Sequence, residues 1–100
     1  MARLVIFDNE GRKEVPLIEH NSVGRHPQNR VQILDRVVSK EHCLILAEKE
    51  GGFTLKDLGS LNGTFVNKNR VENEIRLNDG DEITLGSTRC MFLSEEMADS

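Results

Sequence analysis

Short stretches in which apolar and polar residues alternate recur along the chain. Each stretch places two apolar side chains two positions apart, as in Val31/Ile33, Phe53/Leu55, Ile83/Leu85 and Cys90/Phe92. A period of two puts such side chains on the same face of a β-strand. The alternation therefore predicts several short strands, each with one buried face, and a further strand is expected over residues 3–7.

Turn-forming residues separate these stretches at roughly eight-to-twelve-residue intervals, which is typical of proteins with many short strands. The turn signals are Asn9-Glu10-Gly11, His20-Asn21-Ser22, Pro27-Gln28-Asn29, Gly51-Gly52, Asn62-Gly63, Asn67-Lys68-Asn69, Asn78-Asp79-Gly80 and Gly86-Ser87. Strands this short must pack against a second sheet to bury their apolar faces. We therefore predict an all-β fold, an antiparallel β-sandwich of about ten to eleven strands with loops collected at its ends.

The segment of residues 39–50 is ambiguous by local propensity. Ser39 could begin a helix as its N-cap and Gly51 could end it, so helix and strand are equally favoured there. The all-β surroundings favour a strand over residues 42–49. Such a strand would carry on one face Cys43, Ile45 and Ala47.

Length and composition predict one domain. A chain of 100 residues with 37% hydrophobic residues can bury one core, because domains this small bury roughly two-thirds of their unfolded surface. We place the domain at residues 1–94 and interpret residues 95–100 as an acidic tail or the start of a linker. Cys43 and Cys90 form no CxxC pair, so we expect two reduced core thiols, no metal site and no cofactor.

The net charge of −4 and the pI of about 5.3 argue against nucleic acid or an acidic membrane as a partner, since such binding depends on excess Lys and Arg. No long apolar run suggests a membrane span or a signal peptide. These features predict a soluble, cytoplasmic protein.

One segment departs from the acidic average. Between residues 24 and 40 lie four basic side chains, Arg25, Arg30, Arg36 and Lys40, against the single acidic residue Asp35. A cationic segment on an acidic body can attract a small anion. The alternative is a set of ordinary solvated surface charges.

Three short motifs follow one another in order: Gly24-Arg25, then Ser39-Lys40-Glu41-His42, then Ser60-Leu61-Asn62-Gly63. Each is common alone, and Asn-Gly between apolar residues is also an ordinary hairpin turn. In this order and spacing the chain resembles the forkhead-associated (FHA) family over about residues 4–93. In that family a strand-end GR, a loop SxxH and a loop NG mark a phosphopeptide site at one end of an FHA/SMAD-like sandwich.

The resemblance implies a role for each motif residue at the phosphate. Arg25 would bind the phosphate, because a guanidinium offers paired donors and stays charged. Ser39 would donate its hydroxyl to a phosphate oxygen, whereas as an N-cap the same oxygen would act as an acceptor. Lys40 would add charge.

The remaining motif residues would position the ligand or the loops. The resemblance implies that Asn62 holds the ligand main chain and that Ser60 makes a supporting contact to the phosphothreonine. Gly24 and Gly63 would be architectural, and His42 would use its ring hydrogen bonds to hold the loop that presents Ser39.

Specificity in the family comes largely from the third residue after the phosphothreonine, read in part by the position two before the SxxH serine. That position is Val37, which predicts an aliphatic preference. Arg36 is the competing reader and would favour an acidic residue.

We therefore predict a phosphothreonine-dependent protein interaction module within a larger multidomain protein, whose partner is a phosphothreonine-containing protein rather than nucleic acid or a membrane. An enzyme would have to combine Ser39 with His42 and Asp57, and the chain contains no GxSxG or P-loop motif. The stronger alternative is a phosphate-independent scaffold or intramolecular interaction module of the same fold.

Overall fold

The computed structural model describes residues 1–94 and contains eleven strands and no helix within them. The strands are β1 (Ala2–Asp8), β2 (Gly11–Pro16), β3 (His20–Gly24), β4 (Val31–Gln32), β5 (Cys43–Ala47), β6 (Phe53–Asp57), β7 (Thr64–Val66), β8 (Asn69–Arg70), β9 (Glu74–Leu77), β10 (Glu82–Leu85) and β11 (Thr88–Ser94). The predicted all-β fold is confirmed. The tail predicted at residues 95–100 lies outside the described residues, and the domain bounds stay a prediction.

The strands form two sheets. One has six strands in the order β2-β1-β11-β10-β7-β8, and the other has five in the order β4-β3-β5-β6-β9. Pairing is antiparallel except between β3 and β4, which run parallel with Val23 opposite Val31. This pair departs from the antiparallel pattern of the rest of the sandwich, because the loop of residues 25–30 brings the two-residue β4 alongside β3 in the same direction.

The core lies between the inward faces of the two sheets. Leu4, Ile6, Leu55 and Phe92 are at most 1% exposed, and burying a side chain of this size contributes about 1.5–3 kcal/mol. The rings of Phe53 and Phe92 meet edge to face across the sheets, with centroids 5.7 Å apart. The alternating residues identified in the sequence thus supply much of the sandwich interior.

The ambiguous segment is a strand. β5 covers Cys43–Ala47 and is shorter than the predicted residues 42–49. Cys43 and Ile45 are buried, but Ala47 is exposed at the strand end. Strands β3 and β6, on either side of β5, supply its hydrogen bonds. This pairing explains why the segment forms a strand although a helix is equally favoured by local propensity.

Asn62-Gly63 is not a hairpin turn. It lies in the loop that carries the chain from β6 in the five-stranded sheet to β7 in the six-stranded sheet. A tight hairpin turn lies instead at Asn67 and Lys68, between β7 and β8, where φ is 49° and 72°. Two successive residues with positive φ are what a two-residue type I′ hairpin requires.

Candidate functional site

The loop after β3 and the loop before β5 are joined at Arg25. Its backbone N–H donates to the Ser39 carbonyl at 3.0 Å, and its Nε donates to the Val38 carbonyl at 3.0 Å. The second bond orients the guanidinium. Its terminal nitrogens have no acceptor within residues 1–94, so an exposed, fixed pair of donors is left for an anion.

Gly24 is needed because two loops cross closely at this point. A Cβ on Gly24 would collide with the carbonyl oxygen of Lys40. That oxygen accepts hydrogen bonds from the Asn29 side chain at 2.6 Å and from the His26 N–H at 3.3 Å. The main chain of Lys40 is therefore anchored while its side chain is exposed. Asn29 was not singled out in the sequence, where it reads only as a turn residue.

His42 connects the SxxH loop to the NG loop. Its Nδ1 accepts a hydrogen bond from the Ser39 N–H at 3.1 Å, so Nε2 carries the hydrogen and donates to the Gly63 carbonyl at 3.0 Å. The ring is 0% exposed. Burial lowers the pKa of His42 against the opposing effects of the Gly63 carbonyl and of the carboxylates of Asp57 and Asp35. The ring is thus neutral at pH 7 and holds two loops together.

Two further hydrogen bonds tie the same loops. The Leu61 N–H donates to Ser39 Oγ at 3.2 Å, and the Asn62 side-chain nitrogen donates to the Val37 carbonyl at 3.2 Å. Because Ser39 Oγ acts as an acceptor here, its hydroxyl hydrogen remains available to a ligand. Asn62 likewise keeps its amide oxygen and a second amide hydrogen.

Asp57 organises the NG loop from the end of β6. Its carboxylate accepts from the N–H groups of Gly59 and Ser60 at 2.9 and 3.0 Å and from the hydroxyls of Ser60 and Thr64, both at 2.7 Å. Partial burial works to raise the pKa of Asp57, but these hydrogen bonds outweigh it and lower the pKa. From the sequence, Asp57 was considered only as a catalytic orienter, although Asp-Leu-Gly-Ser is a typical Asx-turn sequence.

Ser60 is consequently occupied within the loop. Its hydroxyl hydrogen is donated to Asp57, and the residue is 8% exposed. As placed, Ser60 offers a ligand only oxygen lone pairs. The supporting contact to phosphothreonine stays a prediction that would require the hydroxyl to rotate.

Asp35 anchors the segment that carries the predicted specificity residues. Its carboxylate accepts from the Val37 N–H at 2.9 Å and, in the β10–β11 region, from the Ser87 N–H at 2.8 Å and the Thr88 hydroxyl at 2.9 Å. Burial favours a higher pKa, but these three hydrogen bonds outweigh it and lower the pKa of Asp35. Val37 is held with 45% of its surface exposed, and Arg36 is also exposed.

The three motifs therefore converge on one exposed, hydrogen-bonded surface. A separate groove of about 280 Å³ opens beside it. The groove is lined by Ser22, His26, Gln28, Asn29, Glu41, Leu44 and Leu58. The five residues predicted to bind the ligand do not line this groove. The convergent surface presents charged and neutral donors, an arrangement suited to an anion attached to an extended chain.

The same geometry lacks a nucleophile–base pair at Ser39. His42 Nδ1 accepts from the Ser39 N–H and not from its hydroxyl. The Asp57 oxygens bond to the loop and to Thr64 and not to the histidine ring. Hydroxyl, imidazole and carboxylate are close in the fold but are not arranged as a triad.

Comparison with known families decides the assignment. The family model described as FHA domain matches residues 21–86, which contain all three motifs. The chain belongs to the forkhead-associated family. FHA domains bind phosphothreonine-containing peptides, and this FHA domain accordingly falls among the phosphopeptide-binding interaction modules.

Relatives and solved structures agree with this assignment. The FHA domain is 40% identical to the glycogen accumulation regulator GarA of Mycolicibacterium smegmatis over 78% of this chain and 48% of that protein. It is 38% identical to the oxoglutarate dehydrogenase inhibitor of Corynebacterium diphtheriae over 72% of this chain and 49% of that protein. The chain thus spans about half the length of the curated relatives it matches.

The fold likeness covers nearly the whole chain. A structure from a structural and functional analysis of phosphothreonine-dependent FHA domain interactions superposes with a TM-score of 0.87 at 32% identity. The match covers 96% of this chain and 98% of that chain.

Proposed function

We propose that this FHA domain binds a phosphothreonine through Arg25 and Ser39 at the centre of its loop surface. The observation that carries the proposal is the orientation of Arg25, whose Nε is held by the Val38 carbonyl while its terminal nitrogens are free. The Ser39 hydroxyl lies close to Arg25, because the backbone N–H of Arg25 donates a hydrogen bond to the Ser39 carbonyl. The exposed side chain of Lys40 adds a second positive charge.

Asn62 would hold the ligand main chain beside the phosphothreonine. Its bond to the Val37 carbonyl fixes the side chain and leaves one donor and one acceptor directed to the ligand. An amide with both a donor and an acceptor can pair with an extended peptide as a neighbouring strand would. The phosphate would therefore be bound by the first two motifs, and the ligand backbone by the third.

The domain would act by binding alone. The buried, neutral ring of His42 and the bonds of Asp57 to its own loop support a non-catalytic role. Two relatives named for regulation and for enzyme inhibition support the same class of function. We propose an intracellular partner protein carrying a phosphorylated threonine, bound by this domain as a part of a larger protein.

The experiment is a calorimetric titration with a peptide selected from an oriented phosphothreonine library. The selected peptide and its unphosphorylated counterpart are compared, and the phosphopeptide is followed by ³¹P NMR. We expect binding of the phosphorylated form only, without release of phosphate. Equal affinity for both forms would favour the phosphate-independent scaffold, and release of phosphate would favour an enzyme.

A further inference from the structure

Arg70 is an exposed arginine on the edge strand β8, outside the three motifs. Its guanidinium lies directly against Gly63. A Cβ built on Gly63 would be 3.1 Å from both Cζ and Nε of Arg70. Within residues 1–94 this guanidinium has no hydrogen-bond or ion-pair partner, so its donors are unused.

The β7–β8 hairpin explains this position. Arg70 is paired with Phe65, and Gly63, two residues before Phe65, lies on the same side of the chain as it enters β7. Gly63 has φ 88° and no side chain, so the guanidinium can lie flat on the backbone of the loop that carries Asn62. The glycine thereby serves the turn and the close approach of Arg70 together.

Two other surface arginines, Arg12 and Arg76, differ in this respect. Arg12 contacts the Glu14 carboxylate at 2.7 Å, and Arg76 donates to the Gly51 carbonyl at 2.8 Å. Arg70 instead presents its planar donors next to the residue proposed to hold the ligand main chain. A guanidinium in that place matches a carboxylate, which it can bind through two parallel hydrogen bonds.

We propose that Arg70 is a specificity-determining residue that reads an acidic side chain of the ligand, at a position flanking the phosphothreonine where the ligand passes Asn62. The inference rests on the proposed phosphothreonine site and extends it to a second contact. Arg25 and Ser39 would recognise the phosphate, and Arg70 would select a negative charge on the neighbouring ligand residue.

The test is an array of phosphothreonine peptides with alanine flanks, in which a single Glu or a single Lys is placed at each of the three positions on either side of the phosphothreonine. Wild type, Arg70→Gln, Arg70→Glu and Arg76→Ala are compared by the ratio of affinities for the Glu peptide and the alanine peptide. Arg76 is the matched control because it pairs with Thr54 near the start of β6, away from the loop surface.

In the wild type we expect Glu at one position to improve affinity about three- to fivefold, as for an exposed charge pair. Arg70→Gln should abolish this ratio, Arg70→Glu should replace it with a preference for Lys at the same position, and Arg76→Ala should leave it unchanged. A ratio that persists in Arg70→Gln, or a wild type without any acidic preference, overturns the inference while phosphate-dependent binding stands. No wild-type binding to the alanine-flanked phosphopeptide overturns both proposals.

Discussion

Replacing His42 with alanine should damage stability and ligand binding together. The substitution leaves the Ser39 N–H and the Gly63 carbonyl without their partners, and each buried unsatisfied group costs about 1–3 kcal/mol. The ring is 0% exposed, so its lost packing adds to this. We expect a total of about 3–5 kcal/mol, which is a large part of the usual stability of about 5–15 kcal/mol.

The assay combines thermal melting with phosphopeptide titration. A loss of this size should lower Tm by about 10 °C or more for a domain of this length, and the loosened loops should weaken binding. His20→Ala is the matched control, because His20 is exposed at the start of β3 and should change neither quantity. A His42→Ala variant that melts normally but has lost all binding would refute the structural role of His42 and indicate that its ring contacts the phosphate.

The same histidine should give stability a distinctive pH dependence. The pKa of His42 is lowered in the folded protein by burial, whereas the unfolded chain has an ordinary pKa of about 6.5. Below about pH 6.5 the unfolded chain therefore binds the additional proton first, and stability falls as the pH falls. Urea unfolding between pH 7.5 and 5 should show this slope in the wild type and a smaller slope in His42→Ala. Equal slopes would contradict the assigned ring state.

Four further predictions concern ligand binding. Ser39→Ala should weaken phosphopeptide binding less than Arg25→Ala in calorimetry, because it removes a neutral donor and not a charged one; an equal or larger loss would contradict this ranking. Replacing the phosphothreonine with Asp or Glu should abolish binding, since one carboxylate replaces nearly two charges and three oxygens. A phosphoserine peptide should bind more weakly than the matched phosphothreonine peptide, with about 0.8 kcal/mol attributable to the missing methyl group. Equal affinities for these two peptides would refute a contact with the methyl group. In a peptide array varied at the third residue after the phosphothreonine, contact with Val37 should give a preference for an aliphatic residue worth about 1–2 kcal/mol. The Val37→Arg variant should lose this preference. An acidic preference at that position that disappears in Arg36→Ala would refute the proposed apolar contact.

Much of the sandwich could be predicted because its strands alternate in hydrophobicity. Ile83 and Leu85, or Cys90 and Phe92, point to one face whatever the rest of the chain does, and the structure buries all four. The parallel pairing of β4 could not be predicted in this way. It depends on the path of a loop and on one tertiary bond, from the Ile33 N–H to the Gly24 carbonyl.

The motif residues could be identified, but the contacts that orient them could not. Asp57, Asn29 and Asp35 use their side chains to hold loops that are distant in sequence. A polar residue in a turn gives no indication of which distant backbone group it will bind. Arg70 was missed for the same reason, since only the β7–β8 hairpin brings it against Gly63.

The central claim is that Arg25 binds the phosphate, and the most direct measurement is calorimetry of one library-selected phosphothreonine peptide against wild type, Arg25→Ala and Arg76→Ala. Removing a charged hydrogen-bond donor should cost about 1.5–3 kcal/mol or more, at least about a tenfold loss of affinity. We predict this loss in Arg25→Ala with the fold retained and only a small decrease in Tm, because the Val38 carbonyl loses its hydrogen bond from Arg25 Nε, and wild-type affinity in Arg76→Ala. Full affinity in a normally folded Arg25→Ala variant would contradict the account.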